Sequence, residues 1–147
     1  MDLGADACAN LTQVLPFLGV TDVERSLNFY LDGLGFTMKH QWLPDGKLRW
    51  CWLTRGGASL MLQEFLPGRK PEGKQGEGVS LAFQCEDAVA LYREFRSRGI
   101  EAKEPFVGNS MWVTILSDPD GYKLDFESPT DVPEETKLSE AEASRNS

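Results

Sequence analysis

The sequence predicts an α+β fold built from two copies of one βαβββ module. Each half of the chain starts with a short apolar strand, continues with an amphipathic helix and ends with candidate strands separated by turns. The halves align, with Gly19-Val20-Thr21-Asp22 matching Gln84-Cys85-Glu86-Asp87, and Leu34-Gly35-Phe36 matching Arg98-Gly99-Ile100. Such a repeat explains a chain of 147 residues better than one irregular domain does.

The chain divides into five segments by composition. We predict a flexible N-terminus over residues 1–10, a first module over 11–65, a linker over 66–78, a second module over 79–128 and a disordered acidic tail over 129–147. The linker is rich in Gly, Pro and charge, and the tail is rich in acidic residues and Ser. Neither segment offers the apolar surface that a packed core needs.

The first module has the pattern of a strand, a helix and three further strands. Thr21 or Asp22 can cap the helix, and Gly35 ends it. Turns fall at Pro44-Asp45-Gly46 and Gly56-Gly57, since Pro and Gly favour turn conformations. The strands are predicted at Val14–Val20, Phe36–Trp42, Lys47–Thr54 and Ser59–Phe65.

The second module repeats this order. Its helix opens at Glu86-Asp87 and ends at Gly99, and the turn Asp118-Pro119-Asp120-Gly121 joins its last two strands. Alternation along the last strand puts Asp125 and Glu127 on one face and apolar side chains on the other. The strands are predicted at Val79–Cys85, Ile100–Lys103, Met111–Ser117 and Tyr122–Glu127.

Charge and cysteine content exclude several classes of protein. The formal net charge of −8 argues against nucleic-acid and anionic-membrane partners, because no basic patch exists to displace phosphate counterions. Cys8, Cys51 and Cys85 are too few and too widely spaced for a disulfide framework or a zinc ribbon, and the last two fit buried small hydrophobes. No signal peptide or membrane span is visible, so we predict a cytoplasmic protein.

Three stretches share their order and spacing with a known family: Val20–Tyr30, Leu34-Gly35-Phe36 and Asp118-Pro119-Asp120-Gly121. On these residues the chain resembles the glyoxalase/bleomycin-resistance/dioxygenase superfamily, or vicinal oxygen chelate fold, from Val14 to Glu127. The resemblance implies two βαβββ modules whose mixed sheets form a cup around a ligand, commonly in a homodimer.

The resemblance also implies where metal-dependent members would hold an ion. These positions fall at Leu15 and Ser80 on the first strands, and at Met61 or Gln63 and at Asp125 on the last strands. Only Asp125, helped by Gln63, is a credible ligand, because leucine has no donor atom and a hydroxyl binds transition metals poorly. We therefore expect no metal and no other cofactor, as in the metal-free branch that includes the bleomycin-resistance proteins.

Aromatic residues on the candidate cup strands are the main binding candidates. Trp50 and Trp52 share one face, and they either form a platform for a planar or cationic ligand or pack against the helices. Phe17 would add an apolar wall, whereas His40, the only histidine, is predicted to be a surface residue. The predicted ligand-binding set is Phe17, Trp50, Trp52, Met61, Gln63, Ser80, Trp112 and Asp125.

From the resemblance we predict a homodimeric small-molecule-binding protein that sequesters a planar or cationic aromatic ligand in a metal-free cup. Acidic residues would offset the charge of a cationic ligand. The alternative is a metal-dependent lyase, isomerase or dioxygenase of the glyoxalase type, with unusual ligands such as Asp125 and Gln63. A third possibility is a sensor or interaction module. No catalytic residue is predicted.

Overall fold

The computed structural model describes residues 9–146 and contains two four-stranded sheets, one in each half of the chain. The first module comprises β1 (Phe17–Val20), α1 (Val23–Leu27, continued by a π-helix over Asn28–Gly33), β2 (Thr37–Trp42), β3 (Trp50–Arg55) and β4 (Ala58–Glu64). The second comprises β5 (Ser80–Gln84), α2 (Ala88–Ser97), β6 (Phe106–Gly108), β7 (Met111–Ser117) and β8 (Lys123–Pro129), and α3 (Leu138–Arg145) follows it. The predicted α+β class and the repeat of βαβββ modules are confirmed.

Both sheets have the same topology. The strand orders are β1-β4-β3-β2 and β5-β8-β7-β6. In each sheet the first strand of the module lies parallel to the last strand, and all other neighbours are antiparallel. A parallel pair needs a crossover, which the helix of each module supplies.

The helices begin at the predicted caps. The Asp22 carboxylate accepts hydrogen bonds from two backbone N–H groups of the first turn of α1, and Asp87 caps α2 in the same way through one. Both helices are followed by a glycine with positive φ, Gly35 (+75°) and Gly99 (+83°). The first module has one more residue between cap and glycine, and the π-helical segment accommodates it.

The helix sides of the two sheets share one hydrophobic core. Buried leucines of β3 and β4 pack under α1, and Leu124 and Phe126 of β8 pack under α2. The rings of Phe36 and Phe83, one from each module, meet edge to face at 6.1 Å between centroids. The other face of each sheet therefore points away from the junction of the modules.

The predicted turn between β7 and β8 joins the modules. Oδ1 of Asp118 accepts hydrogen bonds from the backbone N–H groups of Asp120 and Tyr122, which closes the turn. Oδ2 of Asp118 accepts a buried hydrogen bond of 2.8 Å from the Tyr30 hydroxyl on the first module. The Tyr122 hydroxyl donates to the Gly19 carbonyl at 2.8 Å, so the turn contacts both the helix and the sheet of the first module.

An ion pair joins the modules at a second place. The Arg55 guanidinium donates to both carboxylate oxygens of Glu94 at 2.7 and 3.0 Å, and to the Leu34 carbonyl at 2.7 Å. These hydrogen bonds lower the pKa of Glu94 and raise the pKa of Arg55. Bidentate geometry makes this contact directional as well as electrostatic.

The strand predicted at Ile100–Lys103 is wrong, because the strand beside β7 is β6 at Phe106–Gly108. The turn between β6 and β7 consists of Asn109 and Ser110, which have φ values of +54° and +62°. Two central residues with positive φ form a tight hairpin, so the partner of β7 must immediately precede that turn.

The prediction of a disordered tail over 129–147 is also wrong for most of the described segment. The Glu134 carboxylate accepts hydrogen bonds from the N–H groups of Asn109 and Ser110 at 2.7 and 3.0 Å. Val107 exchanges backbone hydrogen bonds with the two residues that follow Glu134, and α3 comes next. Composition misses this order because backbone pairing at the edge of β6, rather than apolar burial, holds the tail.

The remaining expectations concern the termini, the linker and the thiols. Most of the predicted flexible N-terminus, residues 1–8 with Cys8, lies outside the described residues. Residues 66–78 contain no helix or strand, although Gln75 is buried.

Cys51 is buried and Cys85 is half-buried, and burial raises the pKa of both thiols, to about 11 for Cys51. Within residues 9–146 no helix is long and apolar enough to cross a membrane.

Candidate functional site

The face of the first sheet that points away from the helices is rich in aromatic side chains. Strand register places its residues in two neighbouring rows that cross the sheet from β1 to β2. One row is Phe17, Met61, Trp52 and His40, and the next is Gly19, Gln63, Trp50 and Trp42. We call the residues of these two rows the first open face.

Alternation along the strands explains why these side chains are accessible. Cys51 and Leu53, the neighbours of Trp52 in β3, are completely buried on the helix side. Trp50 and Trp52 are half-buried on the opposite side, while Phe17 and Trp42 are 54% and 56% exposed. Of the two alternatives for Trp50 and Trp52, the structure supports the platform geometry rather than packing against the helices.

Trp52 has a cationic neighbour that sequence analysis missed. The Lys39 ammonium lies 4.6 Å from the centroid of the Trp52 ring. The His40 ring packs edge to face against the same Trp52 ring, with 5.6 Å between the ring centroids. A β-bulge causes this arrangement, because Met38 pairs with Leu53 and His40 with Trp52, leaving Lys39 as an extra residue. The sequence carries no signal for a bulge at this point.

The corresponding face of the second sheet is acidic. Asp125 lies between Ala82 and Ile115 in the ladders, and Glu127 lies on the same face and accepts a hydrogen bond of 2.7 Å from the Gln84 amide. Burial raises the pKa of Asp125, and repulsion by Glu127 adds to the effect. We call this surface the second open face: Ser80, Ala82, Gln84, Val113, Ile115, Lys123, Asp125 and Glu127.

Trp112, unlike the other predicted site residues, does not belong to either open face. It pairs with Val107 and Ser128, which are both buried on the helix side of the second sheet. The Ser128 hydroxyl accepts the N–H of Ala88 at the start of α2, which confirms that this side faces the helix. Trp112 and Ile115 are an odd number of residues apart, and alternation therefore places them on opposite faces.

The predicted site residues thus fall into two groups. The first open face holds Phe17, Trp50, Trp52, Met61 and Gln63, and the second open face holds Ser80 and Asp125. Because the modules share their core on the helix sides, the two open faces of one chain belong to separate surfaces. That these residues contact a ligand remains a prediction.

The residues at the family's metal positions do not fit a divalent ion. Leu15 and Met61 offer no oxygen or nitrogen side-chain donor. Ser80, Asp125 and Gln63, the alternative to Met61, supply one hydroxyl, one carboxylate and one amide oxygen. Within residues 9–146 no three His, Cys, Asp or Glu side chains are grouped so that they could hold an ion. His40 is an exposed residue of β2, as predicted.

A cleft of about 1010 Å³ lies elsewhere, between the β3–β4 turn of the first module and the start of α2 in the second. Phe36 and Phe83 line it together with Arg55 and Glu94. Three residues of the second open face, Ser80, Ala82 and Gln84, also line it. Neither the tryptophans of the first open face nor Asp125 contribute to it. The cleft is therefore distinct from the first open face and adjoins the second open face.

Comparison with solved structures identifies several proteins of the same fold. A bleomycin-binding protein in complex with bleomycin is 24% identical, with a TM-score of 0.64 over 80% of this chain and 98% of that chain. The bleomycin resistance determinant encoded on transposon Tn5 is 25% identical, with a TM-score of 0.65 over 81% and 98%. TnmS3, an antibiotic-binding protein from Streptomyces sp. CB03234, is 23% identical, with a TM-score of 0.62 over 81% and 98%.

One family model matches most of the chain, whereas a search of curated proteins found no match. The matching model is that of the Glyoxalase/Bleomycin resistance protein/Dioxygenase superfamily, and it covers residues 10–126. This range includes both βαβββ modules except the end of β8. Sequence, fold and strand order agree, and the chain belongs to the glyoxalase/bleomycin resistance protein/dioxygenase superfamily.

Proposed function

We propose that the protein is a metal-free binding protein that sequesters a planar aromatic small molecule, and that the first open face is its binding surface. The observation that carries this proposal is the accessible row of Trp50 and Trp52, flanked by the exposed rings of Phe17 and Trp42. Large flat side chains that are already ordered by a sheet lose little conformational entropy when an aromatic ring stacks on them.

The known relatives favour binding over catalysis. The three structures described above are, by their names, proteins that bind bleomycin or another antibiotic or confer resistance to bleomycin. At 23–25% identity they share the fold with this chain, and the ligand must be argued from its own residues.

We further propose a homodimer in which the first open face of one copy meets the second open face of the other. Lys39 lies over Trp52 of the first open face, whereas the second open face carries Asp125 and Glu127 against one lysine, Lys123, so the two surfaces are complementary in charge. Two-fold symmetry would form this contact twice and cover Trp42. We retain a cytoplasmic location as part of this proposal.

We place the ligand on the open face rather than in the cleft between the modules. Of the charged groups that line the cleft, Arg55 and Glu94 pair with each other, and Asp87 caps α2. The Phe83 ring in that cleft is stacked on Phe126 at 4.9 Å between centroids, so one of its faces is occupied within the protein. The tryptophans of the open face have no comparable stacked partner among the described aromatic rings.

Calorimetric titration tests this proposal, with bleomycin and 2-naphthamide as probes. We expect Trp52→Ala to weaken binding by roughly tenfold or more, as at buried aromatic anchors of other interfaces. Trp112→Ala is the matched control, because it removes the same ring from the helix side of the second sheet. If neither probe binds, or if Trp112→Ala weakens binding more than Trp52→Ala does, the proposal is wrong.

A metal-dependent lyase, isomerase or dioxygenase remains the second candidate because Asp125 has a raised pKa and shares its face with Glu127. Elemental analysis after incubation with manganese, iron, nickel and zinc salts distinguishes it from a binding protein. One retained ion per chain, lost in Asp125→Asn, would replace the binding proposal with this enzyme.

A further inference from the structure

We propose that the ligand presents an anionic or acceptor-rich edge to Lys39 and Trp52, so that the first open face selects planar aromatic anions over the corresponding cations. This inference rests on the proposed function of that face. The net charge of −8 suggests a cationic ligand. The charged group beside the ring of Trp52 is instead the positive Lys39 ammonium, which favours an anionic ligand.

The first open face has no carboxylate. Within the four strands β1, β2, β3 and β4 themselves, the only acidic side chain is Glu64. Glu64 lies on the helix side, where its carboxylate accepts the N–H of Val23 at 3.1 Å and pairs with Lys47 and Arg49 at 3.4 and 3.5 Å. A cation stacked on Trp52 would therefore find no counter-charge within its own sheet.

The π face of Trp52 is already occupied by a cation. The Lys39 ammonium, 4.6 Å from the ring centroid, would repel a second positive group or have to leave the ring. Lys39 is exposed and its contact with the ring is weak, so the ammonium can turn toward an anionic group at little cost. The same side chain thus disfavours a cation and assists an anion.

Two of the polar groups at Trp52 can only donate hydrogen bonds. The indole Nε1–H of Trp52 is buried and has no acceptor, and an ammonium group such as that of Lys39 can only donate. A buried donor without an acceptor is costly. Because the protein covers this atom, a ligand carboxylate or carbonyl oxygen would supply the missing acceptor only if the Trp52 ring turned its edge toward the open face. Donor chemistry and charge therefore favour the same class of ligand.

A series of three isosteric planar probes tests the inference by calorimetry at about pH 7, where the acid is ionised and the amidine is protonated. The probes are 2-naphthoate, 2-naphthamide and 2-naphthamidine, which carry an anionic, a neutral and a cationic group on the same ring. They are titrated into the full chain and into Lys39→Met, which keeps the apolar stem and removes the charge. Lys47→Met is the matched control, since it removes the same charge from the helix side of the same sheet.

We expect the unchanged protein to bind 2-naphthoate about tenfold more tightly than 2-naphthamidine. Lys39→Met should abolish this preference, and Lys47→Met should retain it within about twofold. Binding of all three probes with a preference that Lys39→Met does not change would overturn this inference and leave the proposed function intact. Failure of all three probes to bind would overturn this inference, and the proposed function would be overturned with it if bleomycin also failed to bind.

Discussion

Asp118 is a buried carboxyl group at the junction of the two modules, and its ionisation is coupled to folding. Burial raises its pKa, and the hydrogen bonds from Tyr30, Tyr122 and Asp120 only partly oppose the effect. Because the pKa is higher in the folded than in the unfolded chain, the folded state holds this proton more tightly. The contribution of the group to stability is therefore present at low pH and is lost as the pH rises through the raised pKa.

We predict a pH-dependent stability difference between the wild type and Asp118→Asn. The asparagine side-chain oxygen can still accept the two backbone hydrogen bonds of the turn, but the residue no longer titrates. Urea denaturation at several values between about pH 7 and about pH 4 should show the wild type gaining stability relative to the variant as the pH falls. A difference that is flat, or that changes in the other direction, would show that burial does not dominate this pKa.

Glu94→Gln provides a control of opposite sign. Hydrogen bonds from Arg55 lower the pKa of Glu94, so its contribution to stability is present above the unfolded-state pKa and is lost as the pH falls. In the same titration the wild type should lose stability relative to Glu94→Gln at acidic pH.

At the residue scale, sequence analysis identifies which side chains lie on the first open face. It does not identify residues that contact them through the pairing of strands, such as Lys39. Alternation within one strand is sufficient to pair Trp50 with Trp52. The face of Trp112 depends on the register of β7 with β8 and on which side of the sheet α2 covers, and neither is visible within the strand itself. Lys39 reaches Trp52 because of a bulge, which depends on pairing between strands.

At the scale of elements, the strands with clear alternation and tight turns are predicted closely. The strand Met111–Ser117 has the predicted bounds, and α2 begins at its predicted cap. The errors occur at β6 and α3, where pairing across the chain decides the structure and local composition does not. Secondary structure could thus be predicted wherever local signals and tertiary pairing agree.

The tail supports β6, and we predict that its removal destabilises the second module. Ending the chain after Val132 removes both hydrogen bonds that the Glu134 carboxylate accepts and the backbone pairing with Val107. Each of these bonds contributes about 1 kcal/mol, so the free energy of unfolding in urea should fall by about 2–4 kcal/mol.

A shorter truncation is the matched control. Ending the chain after Lys137 removes α3, which has no buried residue, and keeps the contacts of Glu134 with the turn before β7. The loss of stability should be clearly smaller than after Val132. Equal stability of both truncations and the full chain would contradict a structural role for the tail.

At the scale of the whole molecule, the two modules pack through their helix sides and leave two open faces of different charge. An exposed Trp42 beside a half-buried Trp50 is an unusual surface for a monomer. We therefore expect a dimer by sedimentation equilibrium, and Trp42→Glu should weaken the association by at least about tenfold. Val79→Glu, which also replaces an exposed apolar residue, should leave the association nearly unchanged.

The central claim is that a planar ligand stacks on the first open face, and the indole N–H signals of the four tryptophans test it most directly. In ¹H–¹⁵N spectra, assigned with single Trp→Phe variants, titration with 2-naphthamide should shift the signals of Trp50 and Trp52. The signal of Trp112, on the helix side of the second sheet, should stay unchanged. A shift confined to Trp112, or saturable binding that leaves Trp50 and Trp52 unchanged, would contradict this account.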